Sequence, residues 1–159
     1  MDVFEAMETC RAIRYLKPDP VPQALIERVI WAATRASSPG NSQGWDFVVV
    51  RDRATKAKIG PVVRERLLPL VANVPNTPGS VSRMVTGAQH LLRTFEDVPV
   101  WIIVCGRKVY PHGAATDEMV DAARYPAAQN LIVGARARGL GTTFTTFQIA
   151  TEHEMREAL

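Results

Sequence analysis

"VPVWIIVCG", residues 98–106, is the stretch that most restricts what this chain can fold into. It is nearly continuous in apolar residues, with β-branched and aromatic types, yet far too short to span a membrane. Such a strand is buried on both faces and therefore needs helices to cover it. "WDFVVV", residues 45–50, reads as a second short buried strand.

Helical periods supply the cover. Asp2 to about Cys10 reads as a helix, with Asp2 as N-cap, Glu5 three residues on, and Val3, Met7 and Cys10 along one face. "LKPDPVP" is an extended connector, because its three prolines exclude a helix interior. Pro22 suits the first turn of a second helix, in which Leu25, Ile26, Val29, Ile30 and Ala33 form an apolar stripe. Residues 54–72 look helical with interruptions at Pro61 and Pro69, and "NVPNTPGS" reads as a loop. Ser80 opens a helix that turns Met84, Val85, Ala88, Leu91 and Leu92 to the core. "RKVYPHGAATDE" is irregular. Pro126 is expected to start the helix "PAAQNLIVGARARG", which Gly139 stops with Leu140 just beyond. "TTFTTF" reads as a strand or extended segment. Thr151 and Glu154 form a capping box for a last helix. With no repeat and no linker, the pattern predicts one α+β domain over residues 1–159: a central mixed or antiparallel sheet flanked by helices.

The chain has 159 residues, 47% hydrophobic and 22% charged, as expected of a single packed domain. Its opening, "MDVFEAMETC", is acidic and amphipathic, unlike a signal peptide. Cys10 and Cys105 lack partners at metal-ligand spacing and read as free thiols of a reducing cytoplasm. The net charge of +3 is scattered, which speaks against a nucleic-acid partner and suits a few arginines on a small anionic ligand equally well. His90, His112 and His153 accompany no nucleophile, and Asp117, Glu118 and Asp121 read as a solvated face. The expectation is no metal, no nucleophilic triad and no catalytic side chain.

Three constellations remain. Arg11 and Arg14 would share a face if the first helix reached them, able to grip a phosphate or simply to suit the helix dipole. "SSPGNSQGW" offers Ser37, Ser38, Asn41 and Gln43, whose hydroxyls and amides read planar heteroatom edges or make a local turn. "RGLGTTFTT" carries two glycines, which let backbone N–H groups approach a ligand, near a helix stop. It follows a helix, so it is not a dinucleotide fingerprint.

Taken in order, "CRAIR", "ASSPGNSQGWDFVVV" and "YPAAQNLIVGARARGLGTT" resemble the motifs of the FMN-dependent nitroreductase family. The resemblance implies a nitroreductase-like fold, a homodimer, and an NAD(P)H-dependent oxidoreductase that reduces nitroaromatics, quinones or related small-molecule electron acceptors in a ping-pong cycle. It implies FMN contacts from Arg11, Ala12, Arg14, Ser38, Asn41 and Gln43, and from the backbone near Thr145 and Thr146. Arg11 and Arg14 would take the phosphate or the pyrimidine end of the flavin. Cys10 stands where an arginine is usual, Ala12 where a serine is usual, and Ser37 and Gly44 where prolines are usual. Family members run on for some tens of residues, supplying a strand, phosphate-binding cations and a dimer arm, so the chain reads as C-terminally truncated. The resemblance leaves two alternatives: a flavin-binding or sequestering protein without turnover, and a non-nitro flavin reaction on the same scaffold. No membrane contact is expected.

Overall fold

The computed structural model describes residues 1–72, 74 and 80–159. The expected loop "NVPNTPGS" falls almost wholly outside them. The described residues group into two compact units. One comprises Met1–Arg11, Val21–Val49 and Trp101–Thr142, the other Ala12–Pro20, Val50–Val100 and Thr143–Leu159.

The first unit is built on two strands, β1 (Trp45–Val50) and β2 (Trp101–Gly106), and three helices, α1 (Val3–Thr9), α2 (Gln23–Ala33) and α5 (Asp117–Ala137). The strands pair as a two-stranded sheet. The Arg107 N–H donates to Gly44 O at 2.7 Å, so the start of β1 meets the end of β2 and the pair is antiparallel. Val29 and Ala33 of α2 pack on Leu131 and Ala135 of α5, with Phe47, Ile102 and Val104 closing the cluster from the sheet. A Cβ on Gly134 would come 2.9 Å from that of Ala32, so α2 and α5 approach closely. Trp45 is buried against Ala123 and Ala127. Beyond the buried Trp101, β2 is only half-buried, less than its composition predicts. A two-stranded ribbon leaves edges that a wider sheet would cover.

In the second unit, α3 (Arg53–Ala72) packs against α4 (Ser80–Arg93) and α6 (Gln148–Ala158). Ile59 and Val63 of α3, Leu91 and Leu92 of α4, Phe95 and Met155 are buried. Phe147 meets Phe95 edge-on at 5.3 Å. Arg66 ties α3 to α6 through Glu154 and Ala150 O. Asp52 caps α3 by accepting from the Thr55 N–H, and hydrogen bonds from the Thr55 hydroxyl first and that N–H second hold its carboxyl below the usual range.

Several expectations are corrected. The Asp2 cap holds, with the Glu5 N–H donating to its Oδ1 at 2.9 Å. The apolar face of α1 is not part of the core: Ala6 is the buried residue of the helix, and Val3, Met7 and Phe4 are exposed. Pro61 and Pro69 do not interrupt α3. Eight residues apart, both lie on its exposed face, where lost backbone bonds face solvent and tertiary contacts hold the helix. Pro126 lies inside α5, which starts at Asp117 with two acids in its first turn. Met84 is 49% exposed rather than core. The Thr151–Glu154 capping box does not form. Thr151 is a buried kink inside α6 whose hydroxyl donates back to Phe147 O at 3.0 Å, while Glu154 is drawn to Arg66. Gly139 does stop α5, at φ +78°, with Leu140 N–H donating to Ala135 O. "TTFTTF" forms no strand: Thr142 is a single bridge residue, and no regular element follows until the turn at Phe147 that leads into α6.

Lys56 is 6% exposed, and its ammonium donates to Val98 O at 2.8 Å and to Pro99 O at 3.4 Å. Lys56→Met leaves both carbonyls unpaired and should lower stability by about 1–3 kcal/mol in urea unfolding. Burial pushes the Lys56 pKa below its ordinary 10.5, so its charge costs stability at neutral pH. The unfolded chain then binds the extra proton between the lowered pKa and 10.5, and stability from this group rises with pH across that window. The methionine variant should lack this rise.

Candidate functional site

The shared helical face expected for Arg11 and Arg14 does not exist, because α1 ends at Thr9 and Cys10 is already extended. Arg11 folds back onto the helix end, its guanidinium donating to Glu8 O at 2.8 Å and to Cys10 O at 3.1 Å. It caps carbonyls at the negative end of the helix dipole.

The loop between α2 and β1 brings Ser38, Asn41 and Gln43 together. Pro39–Asn41 make one 3₁₀ turn, with the Asn41 N–H donating to Ser38 O at 2.9 Å. Ser38 Oγ accepts from the Gln43 N–H at 3.0 Å, and Gln43 Nε2 donates to Asn41 Oδ1 at 3.0 Å. Gly40, Asn41 and Gln43 are all left-handed, at φ 58°, 50° and 48°. Two non-glycine residues in that region within three positions are uncommon, and such strain persists only where neighbours over-determine it. Here the neighbour is the segment after β2. A Cβ on Gly40 would lie 2.3 Å from the Tyr110 ring, and one on Gly44 2.7 Å from Val109. Among the described residues, Asn41 Nδ2 and Gln43 Oε1 have no partner, so one donor and one acceptor side by side stay free for a ligand.

In the second unit, Ala12 and Arg14 line a cavity of about 290 Å³ together with Tyr15, Arg83, Met84 and Gly87. Arg14 is half-buried and has no hydrogen-bond or ion-pair partner among the described residues. Thr145 is half-buried and Thr146 exposed, and Thr146 O caps the start of α6 by accepting from Ile149 N–H. Sequence reasoning missed Arg83 and Tyr110. Neither sits in a motif, because their relevance is tertiary. Gly87 did leave a signal, since glycine inside a helical pattern asks for a packing reason.

Among the described residues the loop and the cleft present guanidiniums, amides and hydroxyls. No three His, Cys, Asp or Glu among the described residues could hold a metal. Cys10 and Cys105 are free thiols. No helix among the described residues is long and apolar enough to cross a membrane.

Two helix-packed units, a locked polar loop after α2 and an arginine-lined cleft beside α4 make up an α+β protein. The model of the nitroreductase family matches residues 8–159, and the chain belongs to that family. A putative NADH dehydrogenase/NAD(P)H nitroreductase of Methanothermobacter thermautotrophicus is 31% identical over 148 residues, covering 91% of this chain and 61% of that protein. Iodotyrosine deiodinase 1 of Rattus norvegicus is 38% identical over 64 residues, 40% of this chain and 22% of that one. The chain thus spans less than two thirds of these relatives. The crystal structure of oxidized iodotyrosine deiodinase bound to FMN and 3-iodo-L-tyrosine shares the fold at a TM-score of 0.72 and 18% identity, covering 95% of this chain and 81% of that one.

The locked loop is testable. Gly40→Ala should cost roughly 1–2 kcal/mol for its left-handed backbone alone, and more because of the contact with Tyr110. In a Tyr110→Ala background the cost should fall to the backbone part, a coupling that a double-mutant cycle in urea reads directly. Additive costs would mean that Tyr110 does not hold the loop.

Proposed function

We propose that this protein is an FMN-dependent oxidoreductase that takes electrons from NADH or NADPH and delivers them to a small-molecule acceptor such as a nitroaromatic or a quinone. Donor and acceptor would use the site in alternation, a ping-pong cycle. The observation that carries the reading is Arg14: a half-buried, unpartnered guanidinium on a cavity, inside the motif that in this family faces the flavin. The residues fit the cofactor. A free guanidinium matches a phosphate or an electron-rich ring edge, and the free Asn41 Nδ2 and Gln43 Oε1 match the alternating acceptors and donor of a pyrimidine edge. Bound FMN would supply the two-electron chemistry, and the protein placement and positive charge. In this reading Ser38 holds the loop backbone, Ala12 lines the cleft, the backbone near Thr145 and Thr146 lies against the cofactor, and Arg11 acts at most weakly, because its donors are engaged by α1. The deiodinase relatives favour a second reading on the same site, reductive loss of a ring halogen.

The purified protein, reconstituted with FMN, should be yellow, should bleach under anaerobic NADH or NADPH, and should recolour with an acceptor. Nitrobenzene and an iodophenol, compared as acceptors, separate the two reactions. A yellow protein that resists both donors is a flavin binder without turnover, and one that takes up no FMN defeats the proposal. Arg14→Ala should weaken FMN binding by about 1.5–3 kcal/mol, roughly 10- to 100-fold, by fluorescence quenching. Equal dissociation constants would leave Arg14 as surface decoration.

A homodimer belongs to the same proposal. Val3, Phe4 and Met7 are 56%, 79% and 58% exposed along α1, an apolar face that a second copy would cover. Sedimentation should show a dimer, and Phe4→Glu should shift it toward monomer. A wild-type monomer at every concentration would exclude this part of the reading.

A further inference from the structure

The cleft of the second unit holds a cation that no motif assigns. Arg83, on α4, lines the same cavity as Arg14, and neither guanidinium has a hydrogen-bond or ion-pair partner among the described residues. Among the described residues no acidic side chain lines the cavity. Two like charges brought to one small opening repel, and an anion between them removes that cost.

The arrangement is built rather than incidental. Arg83 and Gly87 are four residues apart and so share a face of α4. The stem of Arg14 lies across Gly87: a Cβ there would stand 3.1 Å from Arg14 Cδ and 3.5 Å from its Cβ. Glycine is the poorest helix former after proline, and at this position it leaves room for an arginine stem. Three residues further along α4, His90 stacks on Tyr15 at 4.3 Å and 22°. The chain around Arg14 is therefore seated along α4 from Arg83 to His90.

We propose that this cleft is an oxyanion seat, in which Arg14 and Arg83 together clamp the phosphate or carboxylate of a small molecule, and that Gly87 is the positioning residue for Arg14. Paired guanidiniums suit such groups because their planar N–H forks match the spacing of the oxygens. Two sources share this chemistry, the phosphate of the cofactor and an acid group on the electron acceptor. Only the choice of these sources rests on the flavin reading.

Inorganic phosphate and benzoate are titrated first, at constant ionic strength, by thermal shift. At least one should protect the wild type saturably. Arg83→Gln should weaken that affinity about tenfold, with Arg83→Lys recovering part of it. Gly87→Ala should weaken it similarly without lowering the melting temperature of the free protein, since alanine favours the helix. No saturable protection, or equal affinity in wild type and Arg83→Gln, overturns the seat. FMN against riboflavin, and 4-nitrobenzoate against 4-nitrobenzamide, then separate the sources. Selective loss of FMN affinity in Arg83→Gln assigns the cofactor phosphate, and selective loss of nitrobenzoate affinity assigns the acceptor. Equal loss for the charged and uncharged member of each pair means that Arg83 acts through the fold, and the proposal fails. If the wild type binds no flavin, the flavin reading falls while the phosphate and benzoate titrations still decide the seat.

Discussion

The close approach of α2 and α5 is the contact on which the first unit depends. Ala32 and Gly134 meet with no room for another methyl, and Ala33, Ala127 and Ala135 are all but fully buried. Small side chains let the helix axes come together, and Phe47, Ile102 and Val104 then fill the space that the helices leave above the sheet. Enlarging Gly134 would prise the helices apart and undo all of these contacts at once. The same packing fixes the end of α2 and the start of β1, so the loop between them hangs from two immobile points.

That suspension explains how the loop can be both strained and polar. Left-handed backbone at Asn41 and Gln43 is disfavoured, and a free loop would relax out of it. The Ser38–Gln43 and Gln43–Asn41 bonds and the Tyr110 ring over Gly40 offset the strain. A turn that serves only itself would use up its amides. This one spends one half of each side-chain amide on the loop and leaves the other half free. The structural and the ligand-binding readings of the loop are thus not rivals, because the local bonds are what hold the free groups still.

What the sequence made legible was local. β1 appears residue for residue, because an apolar run bounded by Gly44 and Arg51 has one solution. The Asp2 cap and the Gly139 stop are decided by neighbours within a turn. What it hid was set by distant contacts. Pro126 suggests a helix start, yet α5 continues through it, since contacts with α1, α2 and β2 outweigh one lost backbone bond. Thr151 and Glu154 have the spacing of a capping box, but Arg66, far away in sequence, takes the carboxylate. Ser38, Asn41 and Gln43 could be named in advance because they lie within six residues. Arg83 could not, because its tie to Arg14 crosses more than sixty positions.

The charges complete the argument about what the cleft is for. Arg64, Arg66, Arg107, Lys108, Arg124 and Arg156 are each engaged by a carboxylate. Arg11, which the motif would offer to a ligand, is turned onto the end of α1. Cys10 and Ala12 remove one more cation and one hydroxyl relative to the family pattern. Within the motif, then, Arg14 alone keeps an unspent guanidinium, and a single guanidinium is a modest grip on an anion. A second, unpaired arginine one turn from the glycine that seats the first makes good that deficit from another part of the chain. What sets Arg14 and Arg83 apart is that, without a partner among the described residues, they line one cavity, where a bound oxyanion would offset their mutual repulsion.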